Sequence, residues 1–235
     1  MNGAVIGYVT MPAGLTMPAG VDVLVGVVPD RVAATSPYAD PADCGTATDP
    51  DRRRELAATR ALLRALLERR GAVGPGAVRV DPDPRRRPPL AGSPTPRVSV
   101  SHAGGWSAAA VCDLAVGVDV QPAMADRLAQ LDPPDPLDPP DPPAEWAWVV
   151  REACVKATGE GLVGLPHRIP VPPGQTAGTW RPPHRTPVHW RRLTGMPVPV
   201  AVAVVAEPDI SPEPPSVPPP GAGPTVPPSS KEHPR

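Results

Sequence analysis

The chain has no phenylalanine, and its aromatic complement is five Trp and two Tyr in 235 residues. Lysine is almost as scarce: Lys156 and Lys231 are the only two, and the other basic residues are arginine. A composition poor in Phe and Lys and rich in Ala, Arg, Pro and Gly reads as the coding bias of a GC-rich genome, not as a functional signal. A lysine inside the folded part therefore stands against its background. Three cysteines, Cys44, Cys112 and Cys154, lie far apart with no C-x-x-C pair, which excludes a zinc ribbon and a disulfide scaffold. Neither charge sign dominates: the net charge is −1, so no global field favours nucleic acid or an acidic membrane as partner. Long apolar runs are missing too. The longest, Val198–Ala206, contains a proline and is too short to span a bilayer. The first residues lack a basic segment and are broken by Pro12 and Pro18, unlike a signal peptide. These absences lead to the expectation of a soluble, reduced, cytoplasmic protein.

Proline is what the chain has in excess, 41 residues, and the prolines are clustered. The Asp-Pro repeat at 132–143 reads as an extended, solvated insert, and the tail 207–235 as a disordered Pro-rich segment. The rest is long enough for a core. Strands are expected over Ala4–Thr10 and Val21–Val28. A helix is expected from Arg52 to Arg70, with leucines at 56, 62, 63, 66 and 67, an Asp49 or Asp51 N-cap and Gly71 beyond its end. A short strand at Val78–Val80 and an alternating run at Val98–Ser101 follow. Ser107–Cys112 and Val116–Gln121, joined by Asp113–Ala115, read as a hairpin. Ala144–Thr158 is proline-free and helical, punctuated by Gly159 and Gly161, and Val200–Val205 is the best of the late strands. The division expected is 1–97 and 98–206 as two subdomains, then the tail.

Three clusters carry reactive side chains. Glu152 and Lys156 stand i, i+4 on one helix face among apolar neighbours. A surface ion pair and a functional pair are both open readings, and the apolar flanks with the lone lysine favour function. Asp119 sits inside Gly117-Val118-Asp119-Val120. Alternation lets it point to solvent, whereas burial would demand a partner or a metal. Ser101-His102, next to Gly104 and Gly105, suits a phosphate, or is an ordinary strand-to-turn junction. A Ser/His hydrolase is disfavoured because no G-x-S-x-G elbow surrounds Ser101.

Taken in order, VSVSHAGGW at 98–106, VGVDVQ at 116–121 and WVVREACVKATGEGL at 148–162 resemble the 4′-phosphopantetheinyl transferase family, in its larger, monomeric, surfactin-synthetase-activating type. Arg87-Pro88 and the helix segment Thr59–Leu63 extend the resemblance, which covers about residues 50–206. It implies an α+β (α/β) fold of two similar subdomains related by a pseudo-twofold axis. It implies Mg2+-dependent transfer of phosphopantetheine from coenzyme A to a serine of an apo acyl or peptidyl carrier protein, with release of adenosine 3′,5′-bisphosphate. By the same resemblance Asp119, Gln121 and Glu152 hold the metal, and Glu152 and Lys156 act in catalysis. Arg60, Arg87, Ser101 and His102 bind coenzyme A.

Three departures accompany the match. Gln121 stands where the family often has a third acid. The Asp-Pro repeat replaces an aromatic-rich segment that contains an acid. Upstream of the first helix only Arg52, Arg53 and Arg54 echo the usual basic residues. Two other readings follow from these features: a catalytically impaired coenzyme A-binding relative, and a Pro-rich interaction module whose tail binds SH3- or WW-like partners.

Overall fold

The computed structural model describes residues 8–10, 21–33, 35–44, 47–71, 96–122, 144–159, 166–183 and 185–206. The start of the first expected strand, Val78–Val80, Arg87, the Asp-Pro repeat, Gly161 and the tail lie outside the described residues. Within them the chain is a mixed α+β protein with two antiparallel sheets and three α-helices.

The strands are β1 (Tyr8–Thr10), β2 (Leu24–Pro29), β3 (Arg97–Ala103), β4 (Trp106–Cys112), β5 (Val116–Val120), β6 (Ala177–Trp180), β7 (Val188–Arg192) and β8 (Val200–Val205). The helices are α1 (Asp30–Ala33), α2 (Pro50–Arg69) and α3 (Ala144–Thr158). The first sheet has the order β1-β2-β4-β3 and the second β5-β8-β7-β6. The strand pairing of β2-α2-β3-β4 recurs in β5-α3-β7-β8, with β6 inserted between α3 and β7 in the chain and placed at the far edge of the second sheet. In β2-α2-β3-β4 the first strand pairs with the last, and the last with the one before it. In β5-α3-β7-β8 the pairing is the same.

Local chemistry sets the helix ends. The Asp49 side chain accepts the Asp51 N–H at 2.9 Å, and Pro50 takes the first helical position, where its missing N–H costs nothing. Gly71, at φ 67°, accepts the left-handed exit that other residues resist. Gly159 ends α3 in the same way, at φ 78°, with its N–H bonded to Val155 O.

Strand alternation sorts each sheet's residues between two covers. Val25, Val27, Ala108, Ala110 and Cys112 of the first sheet face Val116, Val118, Val120, Val200, Val202 and Val204 of the second across one core. The opposite face of the first sheet receives α2, whose Leu62, Leu63, Leu66 and Leu67 pack on Val28, Val98, Ala109 and Val111. Each such leucine contributes about 1.5–3 kcal/mol by leaving water. The opposite face of the second sheet receives α3, over Ala201, Ala203, Val188 and Trp190. Both faces of β5 and β8 are thus covered, which explains their nearly continuous apolar sequence. Glycine permits the closest helix approach: a Cβ on Gly117 would lie 2.0 Å from Ala153 O.

The expected hairpin of residues 107–121 does not form. β4 pairs with β3 and β2, whereas β5 crosses to the other sheet and pairs with β8. The actual hairpin joins β3 and β4 through Gly104 and Gly105, at φ 53° and 81°. Two consecutive positive φ values are what a two-residue type I′ turn needs, so these glycines serve the turn. β3 and β4, which the sequence division assigns to the second half, hydrogen-bond within the first sheet. Among the described residues no helix is long and apolar enough to cross a membrane.

Candidate active site at the junction of the two sheets

The two sheets meet where the edge of β3 runs beside β5. Ser99 and Ser101 alternate with Val98 and Val100, so both hydroxyls leave β3 on the face turned toward β5. Ser99 Oγ accepts the buried Val118 N–H at 3.1 Å, replacing a ladder bond that β5 lacks on this edge. Ser101 Oγ donates to Asp119 Oδ1 at 2.8 Å.

Asp119 obeys alternation, yet it does not reach solvent. Val118 and Val120 enter the core between the sheets, and α3 covers the other face, leaving Asp119 6% exposed. The helix brings the compensating charge. Lys156 Nζ donates to Asp119 Oδ1 at 2.6 Å, to Ser101 Oγ at 2.9 Å and to Val118 O at 3.2 Å. Lys156 thus makes a salt bridge to a buried strand carboxylate.

Glu152, one turn earlier on the same helix face, is the unsatisfied member. Its Oε1 is buried and accepts no hydrogen bond among the described residues. Burial pushes the Glu152 carboxyl above the usual carboxylate range. The Asp119 charge pushes it further, and Lys156 offsets part of the rise. With both acids ionised, two negative charges share one ammonium, an arrangement that favours a further cation. Among the described residues no group of three or more His, Cys, Asp and Glu converges as a metal cage. Gln121 follows β5 directly, its backbone N–H held by Pro199 O at 3.0 Å.

His102 leaves β3 on the α2 side. Its Nε2 touches Arg52 Nη1 and lies 3.1 Å from Glu55 Oε2. Burial lowers its pKa, Glu55 and Asp30 oppose that, and Arg52 and Lys156 add to it. Lys156 is thus near enough to link the His102 group to the Asp119 group electrostatically. Arg60 sits deeper along α2, buried, with its pKa lowered first by desolvation. Its strongest charge partner is Asp43, and it hydrogen-bonds to neither Ser101 nor His102 among the described residues. Arg64, one turn further along α2, forms a buried two-pronged ion pair with Asp43.

The structure therefore brings together Ser101, Asp119, Glu152 and Lys156, with His102 beside them. It leaves Arg60 in a separate cluster, and Arg87 lies outside the described residues. Ser99, Arg52 and Glu55 were not identified as site residues from sequence. The alternating VSVS run was a signal for Ser99. Nothing local announced the 50-residue contact of Arg52 with His102. An open groove of about 610 Å3 lined by Thr158, Arg185, Thr186 and Val205 lies at the far end of β8 from Ala201, the partner of Asp119. Compared with family models, the chain matches none, and no curated protein matches it.

Proposed function

We propose that this chain transfers the 4′-phosphopantetheine group of coenzyme A to a serine of an apo acyl or peptidyl carrier protein, the reaction of the family it resembles. One observation carries the reading: Asp119, Glu152 and Lys156, drawn from a strand and a helix, converge with a buried Glu152 oxygen left without a partner. Such an oxygen costs about 1–3 kcal/mol, which is explained where a ligand or ion relieves it.

The donor set fits Mg2+, a hard ion that takes one or two carboxylates and completes its shell with substrate oxygens and water. Asp119 and Glu152 would hold it, with the Gln121 amide oxygen two residues beyond Asp119. When bound, the ion would neutralise pyrophosphate charge and stabilise the leaving group.

In the transfer, the oxygen of the carrier serine bonds to the β-phosphorus of coenzyme A. The bond from that phosphorus to the bridging oxygen breaks, and adenosine 3′,5′-bisphosphate leaves with the electron pair. Lys156, fixed by Asp119, Ser101 and the Val118 carbonyl, presents its charge to the transferring group without reorganising. Glu152, or a water beside the ion, takes the serine proton. His102 meets a phosphate of coenzyme A on the α2 side of β3, while Ser101, on the opposite face, holds Lys156 beside the transferring group.

The recurring strand pairing supports a pseudo-twofold pair of subdomains, with coenzyme A in the cleft where β3 and β5 meet. Three free cysteines suit a reducing cytoplasmic setting.

The test is intact mass spectrometry of an apo carrier protein incubated with this protein, coenzyme A and Mg2+. A mass gain of one phosphopantetheine that vanishes without Mg2+ is the expected result. Coenzyme A binding with no gain on any carrier type would replace this reading by that of an inactive binding relative.

A further inference from the structure

Two of the arginines on α2, Arg64 and Arg52, meet carboxylates in ways their sequence does not announce. Arg64 and Asp43 are 8% and 4% exposed and meet through two hydrogen bonds, as a structural ion pair does. Arg52 and Glu55 are 34% and 25% exposed and meet through one contact of 3.3 Å within a single helical turn. The same oxygen, Glu55 Oε2, lies 3.1 Å from His102 Nε2, and that imidazole is 31% exposed. One carboxylate oxygen therefore lies between a guanidinium and an imidazole that already touch each other.

That is the place an oxygen of a bound anion would take. Arg52 also belongs to the first turn of a 20-residue helix, where the helix dipole adds positive potential. The other charged groups acting on His102 are Lys156, which favours an anion there, and Asp30, which opposes one. Asp30 is engaged elsewhere: it accepts from Ser107 Oγ at 2.6 Å and sits buried at the start of α1. Glu55 is thus the carboxylate in direct contact with both members of the pair, and its hold is weak and open to solvent.

We infer that Arg52 and His102 form a binding site for a phosphate group, and that Glu55 occupies it in the ligand-free protein and sets its affinity. A phosphate monoester carries up to two negative charges and three acceptor oxygens, against one charge on Glu55, so it displaces the carboxylate. The guanidinium that meets the ligand beside His102 is then Arg52, not Arg60. Identifying the phosphate as one of coenzyme A's rests on the function proposed above; the site and its internal competitor do not.

The experiment is calorimetric titration of the wild type, Glu55→Gln, Arg52→Ala and the double variant with inorganic phosphate, coenzyme A and 3′-dephospho-coenzyme A. With Glu55 holding the site nine-tenths of the time, its removal tightens phosphate binding about tenfold. The expected result is that gain in Glu55→Gln and its loss in the double variant. Glu55→Gln binding phosphate no more tightly than the wild type, or more weakly, overturns the inference and makes Glu55 a support for the cations. Should Glu55→Gln fail to fold, the wild type decides by itself. Phosphate should shift the His102 ring signals in a 1H–15N spectrum, and unmoved signals at saturating phosphate overturn the inference. A phosphate gain accompanied by equal affinities for coenzyme A and its dephospho form upholds the site while removing coenzyme A as its ligand.

Discussion

Replacing Glu152 by glutamine should stabilise the ligand-free protein while abolishing transfer. The amide keeps the shape of the side chain and removes a charge that the fold does not compensate. In the wild type Oε1 is buried without a hydrogen bond, and Asp119 faces the same space. An unsatisfied buried polar group costs about 1–3 kcal/mol. The amide leaves a polar atom there too, so only the desolvation of the charge and its repulsion from Asp119, less the attraction of Lys156, is recovered, on the order of 1 kcal/mol once the wild-type carboxyl is ionised. For a chain of this size that raises Tm by about 2–4 °C. The sign with pH follows from the carboxyl's upward shift. A group whose folded pKa is raised destabilises nothing below its unfolded value, near 4.5, and costs stability as pH rises through the folded value. The advantage of Glu152→Gln should therefore be absent near pH 4 and grow as pH rises above the unfolded value. Urea denaturation of both proteins between pH 4 and pH 8 measures it. Mg2+ should stabilise the wild type and leave the variant unmoved. A variant less stable than the wild type at pH 7, or a stability difference that is flat with pH, would refute the reasoning and make Glu152 an ordinary structural residue.

The other predictions concern the neighbours of this carboxylate. Lys156→Ala should lower kcat far more than it raises KM for coenzyme A, read by steady-state kinetics; a change confined to KM would make the lysine a binding group only. Asp119→Asn should abolish transfer and cost about 1–3 kcal/mol in urea denaturation, because the amide removes the buried charge that Lys156 meets at 2.6 Å. Gly117→Ala should destabilise by about 3 kcal/mol, since the new methyl would lie 2.0 Å from Ala153 O and must push α3 off β5. Transfer should fall with it, because Glu152 and Lys156 ride on that helix. Ser99→Ala should cost about 1–3 kcal/mol by orphaning the buried Val118 N–H, and amide hydrogen exchange at Val118 should speed up accordingly.

Much of the secondary structure was legible because its causes are local. The 3.6-residue leucine spacing, the Asp49 cap and Gly71 mark α2 to within two residues at its start and one at its end. The proline-free stretch before Gly159 marks α3. The strands from β3 to β5 and β8 were visible as apolar or alternating runs. Their pairing was not. The turn at Asp113–Ala115 looked like a hairpin, yet the chain there passes from one sheet to the other. The Gly104-Gly105 segment, open to reading as a phosphate-binding loop or as an ordinary strand-to-turn junction, is the hairpin turn. Both readings were local, and strand pairing is decided by which faces bury together.

By itself the sequence determined the identities and spacings of Ser101, Asp119, Glu152 and Lys156, and the helix that puts two of them on one face. Those are properties of backbone periodicity, which a few neighbouring residues dictate. Only the tertiary structure decided that Asp119 is buried instead of solvated. Alternation specifies which side of a strand a residue takes, and the packing of α3 specifies what lies on that side. The tertiary structure also decided that Lys156 answers Asp119, that Glu152 Oε1 accepts no hydrogen bond among the described residues, and that Arg52, Glu55 and His102 form one group across 50 residues. Charges interact through space at the separations the fold imposes, and those separations are long-range consequences of core packing that no local pattern encodes.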